Sequence, residues 1–218
     1  MSLPGEVEGA VPSVLGFDSD TIISSPLAQQ FYAGGYKFCL RYLSLGGQES
    51  PQDLSTPEAT DILGSGLALM PVQHVRKVGW LPNGTLGQQY GEDAAANAET
   101  VGFPAGVNVC CDLEGAGGTA SAQDVIDYCA AWFDAVDGAG YVPGLYVGAA
   151  AVLTGPQLYS LAFQHYWRSQ SGVPDVPTRG YALIQLFPSV TANGIGIDVD
   201  FTQNDNEGGR ALWLRISS

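Results

Sequence analysis

VNVCCDLEG, residues 107–115, carries two acidic residues two positions apart, Asp112 and Glu114, directly after a short apolar run. Side chains of a strand alternate between faces, so both carboxylates project to one side and Leu113 to the other. Two like charges side by side raise the proton affinity of at least one of them unless a cation compensates. Folding gains little from such a pair. The chemistry it suits is acid–base catalysis, in which a neutral carboxyl donates a proton and ionised neighbours stabilise developing positive charge. Asp198 and Asp200 repeat the same spacing in GIDVDFTQND, and Asp18 ends the apolar run of VLGFDSD. Simpler readings stand beside this one. Arg41 or Arg168 could neutralise Asp112 and Glu114, Asp18 could cap a turn, and Asp198 with Asp200 could nucleate a loop or hold Ca²⁺.

The elements that must position these groups alternate in type. Apolar runs at 14–17, 37–43, 67–72, 107–111 and 144–147 read as strands, each followed by a helical pattern: 25–33, 56–63, within 87–101, 121–136 and 154–163. Three further strands, at 166–168, 181–186 and 195–199, have no convincing helix between them. Strand and helix in alternation predict a parallel sheet, and strands apolar on both faces predict its closure. The expected fold is α/β, a single (β/α)8 TIM-type barrel with reduced helices in the C-terminal part. An open doubly wound sheet is disfavoured, because GFDSD after the first strand is not a Gly-rich phosphate loop. Residues 1–12 read as an added, leader-like segment and 13–218 as the barrel domain.

In such a barrel the C-terminal ends of the strands converge on one mouth. The residues placed there are Asp18, Arg41 and Tyr42, His74, Asp112 and Glu114, Tyr146, Trp167 and Arg168, Gln185, and Asp198 with Asp200. Carboxylates surrounded by aromatic rings suit an oxocarbenium-like transition state on a sugar. A lone histidine such as His74 at a strand end is more often hydrogen-bonded structure than catalyst, and Trp80, Tyr146 and Trp167 are equally well explained as core.

Composition narrows the partners. The 218 residues include 8 Lys+Arg against 22 Asp+Glu, a formal net charge of −14, which argues against nucleic acid or an anionic membrane surface. No apolar stretch is long enough to cross a bilayer as a helix, so membrane insertion is not expected. Cys39, Cys110, Cys111 and Cys129 do not form a metal pattern, and buried free thiols are the expectation. With only two histidines and no H-x-H after the first strand, neither a metal nor another cofactor is expected. The chitinase-type D-x-D-x-E is also missing, because its first acidic slot is Cys110.

The segments GFDSD, FCLRYLS, ALMPVQHV, NVCCDLEG, PGLYVG, YWRSQ, YALIQL and GIDVDFTQND, in that order over about 14–214, resemble the domain-of-unknown-function family 1906, glycoside-hydrolase-like proteins of bacteria. That family is itself similar to the family-25 glycoside hydrolases, the lysozyme-type muramidases. The resemblance implies Glu114 as general acid. Asp112 would orient the substrate N-acetyl group or serve as second carboxylate, with Asp18 and Asp198 as further catalytic carboxylates lining the cleft. Arg41, Tyr42, His74, Tyr146, Trp167, Arg168, Gln185 and Asp200 would bind substrate. Asp200 stands where the muramidase pattern has Asn. The expected partner is a polysaccharide or cell-wall glycan, the expected activity glycoside hydrolysis, and the expected state a monomer. The alternative is a barrel that binds such glycans without cleaving them. No export signal is legible, and a secreted or cell-envelope location, with a natural leader outside this sequence, is the expectation.

Overall fold

A computed structural model describes residues 2–47, 50–74 and 76–217. The chain runs β1 (Glu6–Gly9), β2 (Leu15–Ser19), α1 (Ser25–Ala33), β3 (Phe38–Leu43), α2 (Thr56–Gly64), β4 (Ala68–Gln73), α3 (Gly84–Val101) and β5 (Asn108–Leu113). It continues with α4 (Ala122–Gly138), β6 (Val142–Val147), α5 (Gly155–Ser160), β7 (His165–Arg168), β8 (Leu183–Ala192), β9 (Ile195–Thr202) and β10 (Leu212–Arg215). Strands β4-β3-β2-β9-β8-β7-β6-β5 form a ring, closed by the pairing of Val72 on β4 with Cys110 on β5. The expected closed eight-stranded barrel, with helices only after the first five of its strands, is therefore present.

Its eighth strand is reversed. β9 pairs antiparallel with both β8 and β2. The connection from β8 is a hairpin turning at Asn193 and Gly194, both with positive φ. A connection that short joins only antiparallel neighbours, because a parallel crossover needs a dozen or more residues. The expected all-parallel order therefore fails at this strand, and Asp198 lies within β9 rather than at a strand's C-terminal end.

Two strands escaped the sequence reading. β10 inserts beside the lower half of β4, pairing Leu214 with Leu69, and there it separates β4 from β5. Asn108 at the start of β5 spans that gap. Its Oδ1 accepts the Leu212 N–H, and its Nδ2 donates to the Val142 carbonyl. β1, within the segment set apart above as leader-like, pairs with β10 from Glu6↔Arg215 to Gly9↔Leu212.

Strand alternation sorts the core into two regions. Phe38, Leu40, Met70, Val72, Cys110, Tyr146, Trp167, Leu183 and Trp213 fill the barrel interior. Phe17, Cys39, Leu43, Leu69, Val109, Cys111, Leu145 and Tyr166 point outward, against helix residues such as Phe31, Ile62, Ala94 and Trp132. Gly16 has to be small, since a Cβ there would lie 2.5 Å from the Phe38 ring. Trp213, almost completely buried and 5.4 Å from Phe38 by ring centroids, plugs the floor. The four cysteines are free and buried, as expected. No described helix is long and apolar enough to cross a membrane.

Candidate active site

Above that plug, the mouth opens as a cleft of about 340 Å³ lined by Asp18, Tyr42, His74, Asp112, Glu114 and Asp198, with Ser19, Asp20, Ser189, Gly196 and Ile197. All four carboxylates singled out as catalytic face one space. Asp18 and Asp198 sit opposite each other in the register of β2 and β9. Asp112 ends the inward row of β5, and Glu114 opens the loop that follows, next to Gly115, which has positive φ.

Gln185 organises the centre from behind. Its Nε2 donates to Asp18 Oδ2 at 2.9 Å and to Asp198 Oδ2 at 3.2 Å. Its Oε1 accepts the Tyr146 hydroxyl at 3.0 Å and the Gln170 backbone N–H at 3.2 Å. Both amide donors and both acceptor lone pairs are thereby used, which fixes the amide's orientation. Tyr42 donates to Asp18 Oδ1 at 3.1 Å. The Gln170 side chain donates to Asp198 Oδ1 at 3.3 Å and to Ser189 at 3.1 Å.

The carboxyls differ in proton affinity. Burial, reinforced by the Asp198 charge and opposed by hydrogen bonds from Gln185, Asp200 and Tyr42, pushes Asp18 up to about 7. Burial, then the Glu114 and Asp18 charges, holds Asp112 well above the usual carboxylate range. Asp112 is only half-buried overall, yet its Oδ1 is sealed from solvent and has no hydrogen-bond partner. Burial, with the Asp198 charge behind it, raises Glu114. No ion pair among the described residues involves Asp112 or Glu114, so neither Arg41 nor Arg168 neutralises them.

Other expected site residues lie elsewhere. Arg41 points outward from β3 and is fully buried. It pairs with Glu58 at 2.7 Å and donates to the carbonyls of Ser19 and Gln52. Arg168 neighbours the inward Trp167 on β7 and so projects to the opposite face. Trp167 lies below the cleft, 4.4 Å from Tyr146 by ring centroids, and its indole N–H is committed to Asp200 at 2.8 Å. A ring so placed cannot stack on a sugar. Tyr146 and Gln185 support the carboxylates without lining the cleft, and Asp200 lies beneath them, fully buried.

His74 does line the cleft, 5.0 Å from the Tyr42 ring and 3.8 Å from the Asp53 carboxylate. Trp80 packs on Tyr128 and donates to the Glu114 carbonyl, which anchors the backbone of that residue. Gln170 and Ser189 were missed, and the turn signal at 193–194 was the available clue that a hairpin would carry Ser189 and Gly196 to the rim. No group of three or more candidate metal ligands occurs among the described residues.

Similar architectures recur among solved structures. The Tat-secreted protein Rv2525c of Mycobacterium tuberculosis, in complex with HEPES, matches with a TM-score of 0.67 and 18% identity over 90% of this chain and 98% of that one. A lysozyme from Streptomyces coelicolor gives 0.58 and 11%, over 88% and 93%. A family 25 glycosyl hydrolase from Bacillus anthracis gives 0.55 and 13%, over 90% and 91%. At these identities the likeness concerns the fold. No curated protein matches the chain by sequence. Residues 29–202, however, match the family described as the Rv2525c-like, glycoside hydrolase-like domain, and it is to this family that the chain belongs.

Proposed function

We propose that this barrel hydrolyses a β-linked cell-wall polysaccharide of the peptidoglycan class in the manner of a muramidase, with Glu114 as general acid. The observation that carries the reading is the gathering of Glu114, Asp112, Asp18 and Asp198 around one open cleft, where burial raises the proton affinities of Glu114, Asp112 and Asp18. Glu114 is half-buried and its affinity is raised, so it holds a proton nearer neutrality than an ordinary glutamate does. That proton passes to the glycosidic oxygen as the bond from C1 to that oxygen breaks. Asp198, held by Gln185 and Gln170, faces the positive charge that develops at C1. Asp112 offers an unpartnered oxygen suited to the N–H of an acetamido group. Water then supplies hydroxide to C1 and a proton to Glu114. Similarity to a Tat-secreted protein fits action outside the cytoplasm, and we take the acting unit to be a monomer.

Release of reducing ends from purified peptidoglycan and from chitin oligomers, between about pH 4 and 8, tests this against Glu114→Gln. Turnover that drops at least 100-fold in the variant is expected. Glycan binding by both proteins with turnover by neither would establish a binding barrel instead.

A further inference from the structure

Asp200 is the one carboxyl of the cluster that does not reach the cleft. It lies on β9 in the barrel interior, in register with Gly16 and Gln185, two residues along the inward row from Asp198. It is completely buried. Its Oδ1 accepts the Trp167 indole N–H at 2.8 Å, and its Oδ2 is sealed from solvent with no donor directed at it.

Groups from several strands face it. β2 presents the Asp18 carboxyl within hydrogen-bond reach, and β9 itself presents Asp198. β5 presents the thiol of Cys110, raised by burial to about 12 and therefore uncharged, whereas Cys39 on β3 points to the outer face. β8 presents Gln185, whose amide N–H groups are already given to Asp18 and Asp198. None of the ion pairs among the described residues includes Asp200. A carboxylate with one bare oxygen, no cation and a second carboxylate beside it is not a stable occupant of a dry interior. A carboxylic acid is, because its Oδ2 becomes the donor that Asp18 can accept.

We propose that Asp200 is a positioning residue that retains its own proton and donates it from Oδ2 to Asp18, so that the pair carries one negative charge and presents it from Asp18 toward the cleft. The ordering of the two groups agrees. Burial and the Asp18 charge hold Asp200 well above the usual carboxylate range, whereas Asp18 is pushed to about 7, so Asp18 ionises first. With Tyr42 and Gln185, this gives Asp18 three donors. The inference concerns the charge state of a buried pair. It does not require that the cleft turn over a glycan, so either reading can fail without the other.

Asp200→Asn keeps the shape, an acceptor for Trp167 and a donor for Asp18, but cannot ionise. Folded parent retains a proton on Asp200 that the unfolded chain releases above about pH 4. The parent therefore loses stability relative to the variant as pH rises. Urea unfolding at intervals from about pH 5 to 7 should show the folding constant of Asp200→Asn, relative to the parent, growing about tenfold per pH unit, the limit for one retained proton. Asp200→Leu, which also strands the Trp167 N–H, should share that slope from a lower baseline. The infrared difference between parent and Asp200→Asn near neutral pH should contain the carbonyl stretch of an un-ionised carboxylic acid. A relative stability that does not change over this range, or a difference spectrum showing only ionised carboxylate, would overturn the proposal.

Discussion

Gln185→Met removes all four hydrogen bonds of the central amide while keeping its length and most of its volume. The Tyr146 hydroxyl and the Gln170 N–H each lose their acceptor at 3.0–3.2 Å, and a buried donor left bare costs about 1–3 kcal/mol. Asp18 is almost fully buried and loses one of its donors, at a similar cost. Asp198 reaches solvent and regains water, so its share is small. The total is about 3–9 kcal/mol, or about 10–25 °C in Tm for a chain of this size.

The loss also depends on pH. The Gln185 N–H holds Asp18 down, so without it Asp18 rises beyond about 7. The folded-state value already exceeds the unfolded one of about 3.9, so Asp18 contributes stability fully below that value and loses it as pH rises to the folded value. Raising the folded value extends the window of loss upward, and the deficit of the variant should be larger near pH 8 than near pH 5. Urea unfolding at the two pH values measures both effects, with the m-value reporting whether the native state stays compact. A deficit below about 1 kcal/mol, or one identical at both pH values, would show that the amide does not hold the carboxylates.

Two further outcomes are expected. Arg41→Met should destabilise by about 3–5 kcal/mol by leaving Glu58 buried without its cation, and adding Glu58→Leu should restore much of the loss; reducing-end release per folded molecule should not change, since Arg41 is outside the cleft. Gly87→Ala in α3 should destabilise by about 1–3 kcal/mol despite alanine's better helix propensity, because its Cβ would lie 2.2 Å from the Tyr128 carbonyl oxygen, while Gly64→Ala in α2 meets nothing within 4 Å and should stabilise by up to about 1 kcal/mol. Thermal unfolding of both variants beside the parent decides this pair.

Much of the barrel was legible because each ring strand is a short apolar run punctuated by a helix start, a glycine or a turn. β1 and β10 were not, because EVEG and LWLR are only four residues long and gain their meaning from pairing across some 200 residues. The reversal of β9 was implicit in the absence of a helix before it, although the consequence for Asp198 follows only once strand direction is known. The site residues divide by parity. Asp112 and Glu114, or Asp198 and Asp200, are two apart and share a face, whereas Arg41 with Tyr42, and Trp167 with Arg168, are adjacent and cannot both face the mouth. Alternation applied strictly would have excluded Arg41 and Arg168. It could not have shown that Trp167 and Asp200 point inward yet lie too deep to meet a ligand, because depth along a strand depends on the register with its neighbours.

The wedge made by β10 has a consequence in time. As the chain is synthesised, β2 to β9 all emerge before the residues that complete the floor, so the ring can form early only as an incompletely sealed cylinder, with the lower edges of β4 and β5 exposed. Trp213 must then enter from below, and its indole N–H reaches Glu8, 205 positions earlier. Contacts so distant in sequence form slowly. β10, made after every strand of the ring, therefore acts as a latch, and until it engages, the nearly finished barrel offers its open floor edges to any other strand that passes.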